Sequence, residues 1–574
     1  MTCADGSGSV ADRALTGEDV LAELTETADH YYAFPRLTER QIGLLAAKGH
    51  LHRTTRGEHL YTQGDESCDF YVIVSGLVAV VDGSSVDDQI VGVHGEGRFL
   101  GELSLLTGET LYVTAVVVQP GEVIAVPLRV LTQLLSKDTE LANVIVRAYL
   151  TRRSMLIEMG NGVRIVGSRF SNDTRRLREF AARNRLPHRF LDLETDRTAE
   201  TLVRQLGVAP DDTPLVLWGG QILRNPSNTD LAKALGLFAP VEPDDRFDLV
   251  IVGAGPAGLG AAVYGASEGL ATVVLDASAT GGQAGLSSRI ENYLGFPSGV
   301  SGSELAERAV VQARKFGARI TVPAEAVGLE EPGGSYRVRL QDGSTLDTRT
   351  VVVATGARYR RLPLPELPKF EATSVYYAAT QVEAQVCGGD PVTVVGGGNS
   401  AGQAAIFLAK HSVRVTLVIR GGDLDQDMSR YLADQIESTS RIDVLLSSEV
   451  ESLVGEGGVL DAVIVRDNRS GMCRTVESRA LFVFIGAEPH VDWLADQLEL
   501  DGSGFILTGP DLGPGSGSGE GDPAGRVLLE TSRRGVFAVG DVRSGSTKRV
   551  ASAVGDGAMA VRLIHEYLGQ PSIA

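Results

Sequence analysis

The spacing of apolar and polar residues divides the chain into segments that predict different folds. From residue 34 to residue 160, short apolar runs alternate with glycine-containing turns, which predicts a small antiparallel β-barrel or jelly roll. At its end, Asp138 to Met159 carries apolar residues at helical spacing, and this helix either pairs across a dimer or packs within the chain. Residues at that spacing are Leu141, Val144, Ile145, Ala148, Met155 and Leu156. Residues 1–33 predict a tail with a disordered first dozen residues and one helix from Gly17 to Ala28.

The rest of the chain predicts alternating strands and helices. Residues 161–240 give the order β-α-β-α-β-β, with Gly219 and Gly220 in the last hairpin. A linker from Ala239 to Asp245, with two prolines and three acidic residues, then leads to two strand–turn–helix–strand units. Residues 509–525 are low in complexity and predict a flexible surface insertion. The predicted fold class is multidomain: a barrel, a small α/β domain and two nucleotide-binding α/β domains.

The first strand–turn–helix–strand unit runs from Asp248 to Asp276 and reads DLVIVGAGPAGLGAAVYGASEGLATVVLD. Its glycines, Gly253, Gly255 and Gly258, let the backbone turn sharply and lie against a pyrophosphate at the helix N-terminus. Asp276 follows about twenty residues later, where an acidic side chain can bind ribose hydroxyls. Because strand, helix and acid stand in the expected register, this unit predicts a dinucleotide site.

A second unit repeats the design with Gly396 and Gly398, and with Ala401 in place of the third glycine. Two units imply two nucleotides, and a flavin with a nicotinamide is the natural pair. The second unit ends on Arg420, which suits the 2′-phosphate of NADPH. Asp423 nearby leaves NADH as the alternative.

From about residue 245 onward the chain resembles the low-molecular-weight bacterial thioredoxin reductases. Besides both glycine turns, the resemblance rests on GGQ at 281–283, IENYLGFP at 290–297, VVVATGA at 351–357, GVFAVGD at 535–541 and RVASAVGDG at 549–557. It implies two Rossmann-like domains. Residues 245–358 and 486–574 would hold FAD, and residues 359–485 would form an inserted NADPH domain.

The resemblance also assigns candidate cofactor-binding residues. For FAD these are Gly253, Gly255, Gly258, Asp276, Gly282, Gln283, Asn292, Thr355, Gly356, Gly540, Asp541, Arg549, Val550 and Ala551. For NADPH they are Gly396, Gly398, Asn399, Ser400, Arg420, Ile485 and Gly486. The amides of Gln283 and Asn292 suit hydrogen bonds to an isoalloxazine, or alternatively to loop backbone. Asp541 suits the ribityl chain or the pyrophosphate, and a helix beginning near Arg549 would direct its positive dipole end at the flavin.

The chain departs from these reductases at the redox-active dithiol. Where the family has Cys-x-x-Cys in the nicotinamide domain, this chain has Ala378, Ala379, Thr380 and Gln381. The four cysteines, none of them spaced as a pair, are Cys3, Cys68, Cys387 and Cys473. Flavin-to-disulfide exchange requires a thiolate within bonding reach of the flavin. We therefore assign no catalytic residue, expect no such role for Cys387, and do not expect thioredoxin reduction.

Residues 34–160 resemble the cyclic-nucleotide-binding domain, on the glycines Gly57, Gly64 and Gly76 and the segment FLGELSLL at 99–106. The resemblance implies that a short helix at Gly101 binds a cyclic phosphate while Glu102 binds the ribose. The arginine that neutralises the phosphate is missing from the segment Thr-Leu-Tyr-Val at 110–113. A buried phosphate without its cation is costly. We therefore expect a different ligand or a structural role in place of the usual cyclic-nucleotide binding.

Residues 161–240 resemble the thioredoxin and glutaredoxin fold, with Thr213-Pro214 where that family has a cis-proline. The position of its Cys-x-x-Cys is occupied by Ser168, Arg169, Phe170 and Ser171. Serines form no disulfide, so a docking role is expected for this thioredoxin-like domain. The arrangement resembles the flavoprotein of alkyl hydroperoxide reductase with both dithiols removed.

The amino-acid composition and net charge narrow the range of partners that the protein can bind. The 574-residue chain has a formal net charge of −20, which disfavours nucleic acid and anionic membranes. We find no signal peptide, no membrane-spanning run and no metal-ligand motif in the sequence. Few, unpaired cysteines fit a reducing compartment, so a cytoplasmic location is expected. Because thioredoxin reductases are usually dimeric, we also expect a homodimer.

Two functions are compatible with these sequence features. The first is an NADPH-dependent flavoenzyme that passes electrons to a non-dithiol acceptor, such as oxygen, a quinone, a small molecule or a redox protein, under regulation by the N-terminal domain. The second is a sensor or scaffold with little turnover, in which the flavin and the barrel report redox or ligand state to a partner. Retention of both glycine turns favours the enzyme, because a scaffold does not need an NADPH site.

Overall fold

The structure is a computed structural model that describes residues 24–29, 32–82, 89–105, 108–209, 212–238, 245–287, 289–371, 373–377, 379, 383–384, 387–494, 496–513 and 527–569. The chain divides into two compact units, Met1–Ala239 and Pro240–Ala574. Outside the described residues lie the predicted disordered start, the linker at 239–244 and most of the insertion at 509–525. No helix in the described part of the chain combines the length and the apolar character that a bilayer span requires.

The first domain of the N-terminal unit is an antiparallel β-structure with an apolar interior, as its pattern predicts. Its strands are β1 His50–Arg53, β2 His59–Tyr61, β3 Phe70–Asp82, β4 Gln89–His94, β5 Phe99–Leu100 and β6 Thr114–Val126. Its helices are α1 Glu39–Ala46, α2 Glu102–Leu105, α3 Leu128–Lys137 and α4 Thr139–Met159. All strand pairs are antiparallel, and β6 pairs with β1, β2 and β3.

Helix α4 confirms the helix predicted from Asp138 to Met159. Asp138 caps it by accepting a hydrogen bond from the N–H of Leu141 at 2.9 Å. The stripe formed by Leu141, Ile145 and Ala148 packs in one cluster with strand residues of the barrel. The stripe is therefore buried within the chain, which is the second of the two predicted alternatives.

The helix predicted from Gly17 to Ala28 is wrong over its described part, because residues 24–29 contain no helix. Thr27 bonds instead to the end of β4: its N–H donates to the Val93 carbonyl at 3.0 Å, and its hydroxyl accepts from the Val93 N–H at 2.8 Å. These bonds replace those of a short helix, which is marginal in water. Residues 17–23 lie outside the described residues.

The second domain of the N-terminal unit has the predicted order β-α-β-α-β-β and ends with one further helix that the sequence did not predict. Its elements are β7 Val163–Gly167, α5 Asn172–Arg183, β8 His188–Asp192, α6 Arg197–Gln205, β9 Leu215–Trp218, β10 Gln221–Arg224 and α7 Asn228–Ala234. The sheet order is β10-β9-β7-β8, with β7 parallel to β8 and the other pairs antiparallel. The predicted cis bond at Thr213-Pro214 is confirmed, and Gly219 and Gly220 form the hairpin with φ of 53° and 74°.

The two domains of this unit share one hydrophobic core. The rings of Tyr112 in the barrel and Trp218 in β9 lie 5.1 Å apart. The N–H of Thr110 donates to the Leu235 carbonyl at 3.1 Å. The segment at 110–113, where the family would place its phosphate-binding arginine, is therefore covered by the thioredoxin-like domain.

The C-terminal unit contains seventeen strands in its described residues. They are β11 Arg246–Val252, β12 Thr272–Leu275, β13 Arg319–Thr321, β14 Ala326–Glu330, β15 Tyr336–Leu340, β16 Thr345–Val353, β17 Ala357–Tyr359, β18 Val375–Tyr376, β19 Val392–Val395, β20 Val415–Val418, β21 Ile442–Leu445, β22 Ser448–Glu456, β23 Val459–Asp467, β24 Cys473–Glu477, β25 Ala480–Val483, β26 Ala487–Pro489 and β27 Val536–Ala538. Its helices are α8 Pro256–Ser267, α9 Gly302–Lys315, α10 Leu367–Phe370, α11 Asn399–Leu408, α12 Arg430–Ser438 and α13 Val550–Tyr567.

These strands form two main sheets joined by a ribbon. The first has the order β13-β12-β11-β16-β15-β14, with β27 parallel to β16. The second, β18-β25-β19-β20-β21, is entirely parallel. The antiparallel ribbon β17-β26 lies at the two places where the sequence predicts the boundaries of the inserted domain. Ligands of such sheets bind beyond the carboxyl ends of the parallel strands.

Candidate cofactor sites and the barrel cavity

The three glycines of the first turn have different roles. Gly253 has a φ of 108°, and a Cβ there would lie 2.2 Å from the Ala354 carbonyl oxygen. A Cβ on Gly258 would lie 1.9 Å from the Gly253 carbonyl oxygen. Gly255 is open, since its nearest neighbour would be the Gly282 Cα at 3.8 Å. The first and third glycines are thus required for packing, and the second leaves room beside the start of α8.

The start of α8 is available to an anion. Gly255 is its N-cap and Pro256 its first residue, and no side chain of the described residues caps it. Helices α11 and α13 likewise begin without a side-chain cap, whereas Ser301 caps α9. A helix start without a side-chain cap has free N–H donors and carries the positive end of the helix dipole, so it is suited to binding a phosphate.

Asp276 holds the first glycine turn from the end of β12. Its carboxylate accepts hydrogen bonds from the N–H groups of Ala254 at 2.8 Å, Ser278 at 2.9 Å and Ala279 at 3.0 Å. The predicted ribose-binding acid is therefore fixed beside the turn.

Two distant predicted segments converge on the same helix start. A Cβ on Gly282 would lie 2.9 Å from the Gly255 Cα, and a Cβ on Gly540 would lie 2.8 Å from the Ala257 Cβ. Both glycines have positive φ, 53° and 73°. Asp541 follows Gly540, and burial raises the pKa of its carboxyl. The structure thus brings the GGQ and GVFAVGD segments to the glycine turn at the start of α8.

Three of the residues predicted at the flavin end, Thr355, Gly356 and Gln283, lie at the ribbon. The Thr355 hydroxyl donates to the His490 carbonyl at 2.7 Å, and the Gly356 carbonyl accepts from the His490 N–H at 3.1 Å. The Gln283 amide donates to the carbonyl of Ala357, the first residue of β17. Asn292 is exposed. Arg549 is the N-cap of α13, which confirms a helix start at Val550 and Ala551.

The second glycine turn has the same design. A Cβ on Gly396 would lie 2.2 Å from the Phe484 carbonyl oxygen, whereas Gly398 has only the Asp427 carbonyl oxygen at 3.9 Å. Asn399 accepts a hydrogen bond from the Ser429 N–H at 2.7 Å, which joins the starts of α11 and α12. The other predicted residues, Ser400 and Arg420, which are exposed, and Ile485 and Gly486, which precede β26, surround the carboxyl edge of this sheet.

The position of the family dithiol contains no thiol. Ala379 is buried in the core of the inserted domain, while Ala378, Thr380 and Gln381 lie outside the described residues. Cys387 is 4 % exposed in the same cluster, and burial raises the pKa of its thiol to about 12. No group of three His, Cys, Asp or Glu side chains in the described residues could hold a metal ion.

The barrel residues predicted to bind a nucleotide take part in a buried ion pair. A Cβ on Gly101, whose φ is 90°, would lie 2.4 Å from the Asp69 carbonyl oxygen. The Glu102 carboxylate accepts a hydrogen bond from Arg152 of α4 at 2.7 Å, and both side chains are buried. One residue further along α4, Arg153 pairs with Glu109 at 2.8 Å. Helix α4 thus brings two arginines to this region, and both pair with glutamates of the barrel.

A small cavity of about 30 Å³ lies inside the barrel beside the Glu102–Arg152 pair. Its lining is mostly apolar but includes His94, Glu102 and Arg152. His94 Nδ1, Glu102 Oε2 and Arg152 Nη2 are buried without a hydrogen-bond partner in the described part of the chain. Burial, with the charges of Arg152 and Arg98, lowers the pKa of His94 well below its usual value. A space of this size holds roughly two water molecules, much less than a nucleotide.

The serines of the thioredoxin-like domain have structural roles. The Ser171 hydroxyl caps α5 by accepting from the Thr174 N–H at 3.3 Å. The Ser168 hydroxyl bonds to the Glu194 carboxylate, and Arg169 pairs with Asp192 at 2.6 Å. These residues stabilise the start of the helix that would carry a dithiol in a redox-active relative.

Comparison with known families agrees with this geometry. The family described as pyridine nucleotide-disulphide oxidoreductase matches residues 247–557, which is more than half of the chain. The chain belongs to this family. A second match, described as cyclic nucleotide-binding domain, covers residues 51–138. The predicted cofactors, FAD and NADPH, are those of thioredoxin reductase-like members of the oxidoreductase family.

Individual relatives of this oxidoreductase match its C-terminal half. Thioredoxin reductase of Treponema pallidum is 32% identical over 322 residues, covering 56% of this chain and 97% of the relative. A 34.2 kDa protein in the rubredoxin operon of Clostridium pasteurianum is 30% identical over 337 residues, covering 57% and 99%. An alkyl hydroperoxide reductase protein of Escherichia coli is 30% identical over 327 residues, but only 58% of that relative is covered.

Two solved structures support the fold of the oxidoreductase. Lactococcus lactis thioredoxin reductase, in the FR conformation, gives a TM-score of 0.51 at 26% identity and covers 56% of this chain and 99% of its own. T. acidophilum thioredoxin reductase gives 0.50 at 29% identity and covers 56% and 98%. The resemblance drawn from the glycine turns and flavin blocks is therefore confirmed.

The residues of this oxidoreductase fit a flavin dinucleotide and a pyridine dinucleotide. Gly255 and Gly398 are open beside uncapped helix starts, whereas Gly253, Gly258 and Gly396 cannot carry a Cβ. Sequence reasoning missed other residues, among them Arg152, Arg153 and the bond from the Tyr431 hydroxyl of α12 to Glu291 at 2.9 Å. Arg152 stands eleven residues after Leu141 on the apolar stripe of α4, but nothing in the sequence identified its partner Glu102.

Proposed function

We propose that the chain is an NADPH-dependent flavoprotein oxidoreductase that passes electrons to an acceptor without a protein dithiol. The observation that carries the proposal is the combination of two open nucleotide cradles, at Gly255 and Gly398, with a buried alanine, Ala379, at the position of the family cysteines. A scaffold protein would have no physical requirement for a second open cradle.

In this proposal the chain binds and orients two cofactors. The N–H groups at the start of α8 bind the FAD pyrophosphate, and Asp276 keeps the turn in place for the ribose. The start of α13, after Arg549, directs its dipole at the flavin ring and stabilises negative charge there. The start of α11 binds the NADPH pyrophosphate, and Arg420 binds the 2′-phosphate. When bound, FAD supplies the redox chemistry by accepting a hydride and releasing electrons.

The electrons have no sulfur path in this proposal. A thiol with a pKa of about 12 is protonated at neutral pH, so Cys387 supplies no thiolate. Cys473 is exposed on β24 of the separate three-stranded sheet β22-β23-β24. The acceptor is therefore a species that meets the flavin directly, such as oxygen, a quinone, another small molecule or a redox protein.

Anaerobic mixing of the purified yellow protein with NADPH tests the proposal. We expect rapid loss of the visible flavin absorbance, followed by reoxidation when quinones, dyes or oxygen are added in turn. Gly398→Ala is the control, because its Cβ meets no atom closer than 3.9 Å and its backbone is not strained. This variant should keep FAD and be reduced by dithionite but not by NADPH. A flavin in the parent protein that dithionite reduces and NADPH does not would favour the sensor hypothesis.

Two further proposals concern the barrel and the oligomeric state. The Glu102–Arg152 pair fills the position of a ribose-binding carboxylate, which supports a barrel that regulates or stabilises without binding cyclic nucleotide. Titration with cyclic AMP should produce no heat, and micromolar binding would overturn this. The homodimer stays a prediction that light scattering would test.

A further inference from the structure

The loop that follows β20 presents the ribose end of the proposed NADPH site. Arg420 is exposed just beyond the carboxyl end of this parallel strand, and Gly421 and Gly422 follow it. In sheets of this kind the ribose attached to the adenine lies beyond that end of the second strand. A group that contacts this loop is therefore placed to distinguish a 2′-phosphate from a 2′-hydroxyl.

The turn between β23 and β24 reaches this loop. The N–H of Asn468 donates to the Ser447 carbonyl at 2.7 Å, and the N–H of Ser447 donates to the Gly421 carbonyl at 2.8 Å. Arg469 Nη2 would lie 2.8 Å from a Cβ built on Gly422. The guanidinium of Arg469 thus rests against the loop, two residues from Arg420, although 49 positions separate the two arginines in the sequence.

The shape of this turn is fixed by its own hydrogen bonds. The Asp467 carboxylate accepts from the N–H groups of Arg469 and Ser470, both at 2.8 Å. These two bonds lower the pKa of Asp467. The Gly471 N–H donates to the Asp467 carbonyl at 2.8 Å, and Gly471 has a φ of 71°. Asp467 therefore serves the turn backbone, and Arg469 is presented from a defined position.

Neither guanidinium group has a close ion-pair partner in the described part of the chain, although Arg469 interacts electrostatically with Asp467 of its own turn. Neighbouring arginines are paired: Arg466 with Glu451 at 3.0 Å and Arg414 with Asp443. Among the described residues, no carboxylate lies within ion-pair distance of Arg420 or Arg469. Asp423, the nearby acid that favoured NADH in the sequence, accepts a hydrogen bond from the Asp425 N–H at 3.1 Å within its own turn.

We propose that Arg469 and Arg420 together bind the 2′-phosphate of NADPH, so that Arg469 is a specificity-determining residue. Guanidinium groups bind phosphate oxygens through paired, charge-assisted hydrogen bonds, and two of them balance the roughly double charge of a phosphate monoester. This inference rests on the proposed function, because it assumes that the second cradle binds a pyridine nucleotide.

Calorimetric titration of the full-length, FAD-loaded protein tests the inference without turnover. The probes are adenosine 2′,5′-bisphosphate and adenosine 5′-monophosphate, which differ in the 2′-phosphate. We expect the parent protein to prefer the bisphosphate. Arg469→Ala should weaken bisphosphate binding by about tenfold or more and leave monophosphate binding unchanged. Arg474→Ala, which removes an exposed arginine from β24, is the matched control and should change neither affinity.

A second variant removes the contact without removing the charge. Gly422→Ala places a Cβ where Arg469 Nη2 now lies, and the flexible end of that side chain can move away without unfolding the loop. It should weaken bisphosphate binding in the same direction as Arg469→Ala. Equal losses for both probes, or no loss in either variant, would overturn the inference. Selective binding by a protein whose flavin NADPH does not reduce would leave this inference standing and refute the proposed function.

Discussion

Replacing Arg152 by methionine tests whether its pair with Glu102 stabilises the barrel. Methionine keeps much of the aliphatic length but leaves a carboxylate that is 1 % exposed without its cation. The variant also loses the bonds from the guanidinium to the carbonyls of Ala33 at 2.6 Å and Phe99 at 3.1 Å. Because the substitution leaves a buried carboxylate without its cation, the free energy of unfolding of the N-terminal unit should fall by about 3–5 kcal/mol.

Urea unfolding followed by tryptophan fluorescence measures this loss. The chain has two tryptophans, and Trp493→Phe leaves Trp218, which is 5 % exposed in the shared core of the N-terminal unit, as the reporter. The unfolding midpoint and slope then give the change in free energy. Arg40→Met is the matched control, because the side chain of Arg40 is 54% exposed in its pair with Asp138 and its removal should leave the unfolding midpoint nearly unchanged.

The double variant Glu102→Leu with Arg152→Met separates the cost of an unpaired charge from the loss of packing. Removing both charges should restore most of the stability that the single variant loses. A loss below about 1 kcal/mol in Arg152→Met, or a double variant as unstable as the single one, would refute the reasoning.

Three further predictions follow from single residues. Gly255→Ala should fold but lose FAD, which flavin absorbance after desalting measures. Gly258→Ala should misfold, because its Cβ meets the Gly253 carbonyl oxygen. Equal behaviour of the two variants would contradict this prediction. Cys387→Ala should leave turnover with every active acceptor unchanged, and a large drop would restore a thiol role. The pKa of His94 is lower in the folded than in the unfolded chain, so the unfolded chain binds the extra proton as the pH falls below about 6.5. Stability should then fall by about 1.4 kcal/mol per pH unit, and His94→Asn should remove this part of the slope in urea titrations at several pH values.

The parts of the fold that the sequence predicted depend on a few adjacent residues. The turn at Gly253 requires a positive φ and leaves no room for a Cβ beside a carbonyl oxygen, and only glycine meets both conditions. The hairpin at Gly219 and Gly220 is similarly local. The cis bond at Pro214 and the start of α13 after Arg549 were expected from the family resemblances. Local backbone requirements of this kind can be recognised without knowing what packs against them.

The parts that could not be predicted depend on pairs that are distant in sequence. Glu102 and Arg152 are 50 residues apart, and an arginine on an apolar stripe reads as an exposed residue until its partner is known. Tyr112 is buried because Trp218 of the next domain covers it. Periodicity gives the face of an element but not the element that packs on it. The same limit hid Arg469, whose turn contacts the Arg420 loop through Ser447.

Neither position at which the resembled families have a dithiol contains a cysteine pair, and the serines and the buried alanine found there have structural roles. In a relay, a cysteine pair at the flavin carries electrons outward, so the final acceptor never needs to approach the flavin itself. Here Ser171 caps a helix, Ala379 is part of a core, and Cys387 is a protonated, buried thiol. In the proposed function none of these residues relays electrons. The acceptor then meets the flavin directly, without a protein thiol between them.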